Sequence, residues 1–143
     1  MSIRTITTQQ AAFLRFELEG GDPRRQKAAL QDICRLYRSG ARLSPAAKPA
    51  FEHLIAGIVV NSRDEKVVRW CLNAIARLGT MANTAHSVEF ALKRHEENPE
   101  IVAAAISALG FLYKGQIPNL DGLRHVPPEA QVLAAMQTVA PRM

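Results

Sequence analysis

The 143-residue chain is 48% apolar and 22% charged, with a formal net charge of +5 and two cysteines, Cys34 and Cys71. That composition suits one folded domain and is too apolar for a disordered tail. It contains no apolar run near the roughly 18 residues that span a membrane, and its cysteines have neither the number nor the CxxC or CxxH spacing of a disulfide scaffold or a zinc site.

Met1 to Gln10 lacks a basic start followed by an apolar core, so no secretory signal is expected and the simplest location is cytoplasmic. The charge is uneven. Residues 1–80 hold 13 Lys/Arg against 7 Asp/Glu, whereas residues 81–143 hold 5 against 6. The whole positive excess lies in the first half, which suits an acidic partner.

In chain order, the first predicted element is an amphipathic helix within TTQQAAFLRFELEGG, before Asp22. A sixteen-residue unit, DPRRQKAALQDICRLY, then starts at Asp22. It returns without a gap as DEKVVRWCLNAIARLG at Asp64 and as NPEIVAAAISALGFLY at Asn98. Its first position is Asp22, Asp64 or Asn98, each a good helix N-cap. Its second is Pro23, Glu65 or Pro99, and proline is favoured at the first helical residue. Positions eight, nine, twelve and fifteen form one apolar stripe, for example Cys71, Leu72, Ile75 and Leu78. Gly40, Gly79 and Gly115 stand where the three helices should stop. An amphipathic segment also precedes the second and third units. PAFEHLIAGIVVNSR carries Phe51, Leu54, Ile55 and Ile58 at helical spacing, with Pro49 at its expected start. NTAHSVEFALKRHEE carries Val88, Ala91 and Leu92 on one face. The short turns Gly20–Asp22, Ser62–Asp64 and Glu96–Asn98 favour antiparallel hairpins. Residues 116–127 read as a loop and 128–140 as one more helix, with Val132, Leu133, Met136 and Val139 apolar.

The unit resembles the HEAT repeat. The likeness lies in the N-cap acid, the proline, a β-branched residue, an arginine and Ala/Leu steps ending in Leu-Gly. Asp64, Val67, Arg69, Ala74, Ile75, Leu78 and Gly79 carry it best, followed by Asn98, Pro99, Ile101, Ala105, Ala108, Leu109 and Gly110. It covers roughly residues 8–115. It implies an all-α fold, an α-solenoid of about three helical hairpins (8–40, 44–80 and 82–115) with a C-terminal capping helix. The first copy departs at Arg25 and Asp32, as a capping repeat with a wet outer face would. Such solenoids serve as scaffolds, carriers, nucleic-acid binders and occasionally enzymes, so the resemblance implies a fold more than a function.

Positions three, six, ten and fourteen of the unit fall within an arc of roughly 80°, opposite the apolar stripe. The first unit places Arg24, Lys27, Gln31 and Arg35 there, extended by Arg38. The second places Lys66, Arg69, Asn73 and Arg77 there, and the third Glu100, Ala103, Ser107 and Phe111. The resemblance implies that the second helices line the concave side, making this arc a basic binding face. Trp70, the only tryptophan, sits at its edge as a candidate stacking residue. Leu133 and Met136 mark a candidate apolar end face. His53, His86, His95 and His125 form no ligand set, and neither a nucleotide-binding nor a hydrolase motif occurs, so no metal or cofactor is expected. Three readings remain. The first is a non-catalytic module for an acidic protein partner. The second is a nucleic-acid binder following the phosphate backbone. The third, least favoured, is an enzyme similar to the HEAT-like DNA alkylation-repair glycosylases.

Overall fold

The computed structural model describes residues 4–78 and 81–116, with side chains at 4–78 and 84–112. The described residues form six helices: α1 (Thr8–Glu19), α2 (Pro23–Arg38), α3 (Lys48–Asn61), α4 (Glu65–Leu78), α5 (Met81–Arg94) and α6 (Pro99–Gln116). The expected loop from 116 and final helix, with Leu133 and Met136, lie outside the described residues, as does Gly79. Helix α6 runs through Gly115 to Gln116.

The N-caps act as their side chains dictate. Asp22 accepts from the Arg24 amide at 3.0 Å, and Asp64 accepts from the Val67 amide at 3.0 Å. Asn98 accepts from the amides of Glu100 and Ile101 at 3.0 and 3.2 Å. Each bond satisfies first-turn amides that have no partner within the helix. Pro49 lies in the first turn of α3, where its missing N–H costs nothing. Gly40 follows α2 at φ +95°, a backbone conformation that glycine adopts without strain.

Each helix packs against its hairpin partner. In addition, α2 packs on α4 and α4 on α6, while α3 packs on α5. The second helices thus make one layer and the first helices another. Leu30, Ile33, Ile55, Leu72, Ile75 and Leu109 are fully buried, and the core is continuous across all three hairpins.

The all-helical expectation holds apart from one small addition. Residues Arg4–Thr5 (β1) pair in parallel with Ala41–Arg42 (β2). The Ile6 amide continues the pairing to the Arg42 carbonyl at 2.7 Å, and Ile6 is buried. The strap is locked from the other side. Arg42 donates to the Tyr37 carbonyl at 2.7 Å and lies over its ring, while the Tyr37 hydroxyl accepts from the Leu43 amide.

Candidate functional site

Helices α2, α4 and α6 run in the same direction and almost in register, as three contacts across their seams show. Asn98, at the first position of its unit, donates to Glu65, at the second position of the neighbouring unit, at 2.7 Å. Arg69 pairs with Glu100 at 3.3 Å, joining position six of α4 to position three of α6. Arg77, at position fourteen of α4, lies beside Cys34, at position thirteen of α2. Equivalent positions therefore lie side by side.

This register brings the two basic arcs together. Arg24, Arg35 and Arg38 of α2 and Lys66 and Arg77 of α4 are exposed, while Lys27 and Arg69 are half-buried. None of the seven points into the core, which occupies the opposite side of both helices. Two of them are partly neutralised. Arg35 pairs with Asp32 at 2.7 Å, one turn away, and Arg69 holds Glu100. Arg24, Lys27, Arg38, Lys66 and Arg77 have no ion-pair partner among the described residues. Burial pushes the Cys34 thiol up, and the adjacent Arg77 and Arg38 guanidiniums pull against that rise.

Trp70 is half-buried and packs against the core, with the Arg69 guanidinium 5.9 Å from its ring centroid. Of the expected residues, the structure groups the seven cations, with Trp70 at their margin. Two further features adjoin them, one on the expected arc and one outside it. Phe111 occupies the arc position held by Arg35 and Arg77 in the other units, and it is 57% exposed. Phe13 lines a cleft of about 330 Å³ beside Arg35, together with Gln10, Leu14, Asp32 and Leu36. The signal for Phe13 was its place off the Leu14–Leu18 stripe of α1.

The described histidines are scattered. His53 and His86 are exposed, and His95 sits in the α5–α6 turn with Nδ1 3.8 Å from Glu65. Among the described residues no group of three or more His, Cys, Asp or Glu side chains can hold a metal ion. No helix among them is long and apolar enough to cross a membrane. No family model, curated protein or solved structure matches this chain.

Proposed function

We propose that the chain is a non-catalytic protein-binding module, a short HEAT-like α-solenoid whose basic face on α2 and α4 receives an acidic surface of a protein partner. The observation that carries this reading is the side-by-side placement of seven cations on one solvent-facing surface, five of them without an ion-pair partner among the described residues. The layering of α2 on α4 on α6 supports the solenoid part of the reading. The buried free thiols fit a reducing, cytoplasmic setting.

The nucleic-acid reading draws on the same unpaired cations. Asp32 and Glu100, beside Arg35 and Arg69, would face either acidic ligand, so the salt dependence of binding has to separate the two readings. The glycosylase-like reading is weaker still, because the side chain over the Trp70 ring is a guanidinium rather than a carboxylate.

The test is a fluorescence-anisotropy titration of a labelled glutamate-rich peptide and of labelled single- and double-stranded DNA, each repeated across a salt series. The peptide should bind, and Arg35→Glu with Arg77→Glu should weaken it at least tenfold. Tighter binding of DNA, with a salt slope that falls by about one for each charge reversed, would replace this reading with the nucleic-acid one. No binding of either probe would remove the basic face as a site.

A further inference from the structure

The face proposed above is organised in rows that run across the helices, because α4 and α6 are parallel and nearly in register and α2 packs on α4 with Cys34 beside Arg77. Two rows differ in chemistry from a plain basic patch. One is Gln31, Asn73 and Ser107, at position ten of each unit. Each of these side chains offers both a hydrogen-bond donor and an acceptor. None has a side-chain hydrogen-bond partner among the described residues. The other row is Arg35, Arg77 and Phe111, two guanidiniums followed by an exposed phenyl ring.

The spacing of the rows selects a conformation for what crosses them. Packed helices lie about 8–10 Å apart. A polyproline-II chain turns once every 3 residues and rises about 3.1 Å per residue, so side chains three apart face the same way about 9 Å apart. Every third side chain of such a segment therefore meets a new helix. This conformation makes no internal hydrogen bonds, leaving its N–H and C=O groups free for the amide and hydroxyl row. A β-strand fits less well, since side chains three apart point to opposite faces.

We infer that the face binds an extended acidic peptide segment carrying two acidic residues three apart and an apolar residue three further on, in either chain direction. The acids meet Arg35 and Arg77, and the apolar side chain covers Phe111. This rests on the protein-binding reading above and adds the partner's shape and spacing. Arg35 keeps enough exposure to serve, with 71% of its side chain open beside Asp32. The order of the row also makes the face polar in a directional sense. Charge is satisfied over α2 and α4, and apolar surface over α6.

The experiment uses four labelled peptides of equal length and charge in anisotropy titrations against the whole chain. One carries Glu-x-x-Glu-x-x-Leu, one its reverse, one the same residues with the acids and Leu two apart, and one has Ser in place of Leu. One of the first two should bind at least tenfold more tightly than the two-apart peptide. Phe111→Ser should erase the preference for Leu over Ser. Circular dichroism and a thermal melt on the variant confirm that its fold is retained, as expected for an exposed position. Equal binding of all four peptides, with loss on Arg35→Glu and Arg77→Glu, would overturn this inference and leave the basic-face reading standing. A Leu preference that survives Phe111→Ser would also overturn it. Failure of every peptide to bind would overturn both.

Discussion

Helices α2 and α4 carry the same sixteen-residue unit, yet two of its positions meet opposite surroundings. Position four is Arg25 in α2, with a side chain 64% exposed, and Val67 in α4, 1% exposed. Position eleven is the half-buried Asp32 in α2 and the fully buried Ala74 in α4. The cause is the neighbour rather than the unit. Helix α4 has α2 on one flank and α6 on the other, whereas the Arg25–Asp32 flank of α2 meets only residues of α1, through Glu17 and the cleft beside Phe13. A repeat therefore prescribes a helix and its main stripe, and stacking decides how far burial spreads around it. The polar choices of α2 suit a flank in water, where Arg25 reaches Glu17 and Asp22 at 3.9 Å.

Exchanging those residues tests the comparison most severely. Val67→Arg with Ala74→Asp moves the α2 pair into the enclosed flank of α4. It should cost about 3–5 kcal/mol or prevent folding, because buried charge without good partners is expensive. Arg25→Val in α2 should shift the urea midpoint by no more than about 0.5 kcal/mol in stability. Similar midpoints for the two exchanges would show that the flanks are equivalent.

Cavity mutants sharpen the same contrast. Leu72→Ala and Ile75→Ala should each cost about 2–5 kcal/mol, as both side chains are fully buried between two neighbours. Leu36→Ala, at position fifteen of α2 and half-buried, should cost clearly less by the same denaturation measurement. Equal losses would mean that the outer flank of α2 is as enclosed as the seams of α4.

The smallest effect lies at the other end of the stack. The side chain of His95 is 10% exposed, and its Nε2 is buried without a hydrogen-bond partner. Burial pushes its pKa below the usual histidine value, Glu65 pulls it back up, and Arg94 lowers it further. Its folded value lies below its unfolded one, so the unfolded chain binds the proton more readily. The stability contributed is complete above about pH 6.5 and is lost as the pH falls from there towards the folded value. Thermal midpoints should therefore drop across that window in the native chain, and drop less in His95→Gln.

The helices were legible because two signals coincide in each second helix. The cap at Asp22, Asp64 or Asn98 fixes the start, and the apolar stripe fixes the inward face. The two-residue strands were not legible, since Arg4–Thr5 and Ala41–Arg42 are too short to show a period and pair only once α1 and α2 are folded. Gln26 shows a similar limit. It occupies the position of Val68 in α4, yet it is buried and donates to the Leu18 carbonyl at 3.0 Å, closing the end of α1. In the site, the seven cations were legible from spacing on a single helix. The Asp32–Arg35 pair was available from the same spacing. The Arg69–Glu100 pair was not, because it spans 31 residues and exists only through the register of α4 on α6. Phe111 was placed on the arc, but its meaning depends on the neighbouring row and not on its own helix.

Cys34 and Cys71 are free and almost wholly enclosed, and Cys34 lies close enough to Cys71 to add to the latter's resistance to ionisation. Burial raises the pKa of both thiols above the ordinary range. A thiol reagent can attack only the ionised, accessible sulfur, so both cysteines are silent while α2 and α4 stay closed. Their reaction with such a reagent is then a native clock for the parting of these two helices. When exchange between closed and open forms is fast, its rate gives the free energy of opening. A bound peptide bridging the two helices would slow that clock by the fraction of time it holds them shut. Occupancy of the outer face could thus be read from two atoms inside the molecule, with no label added.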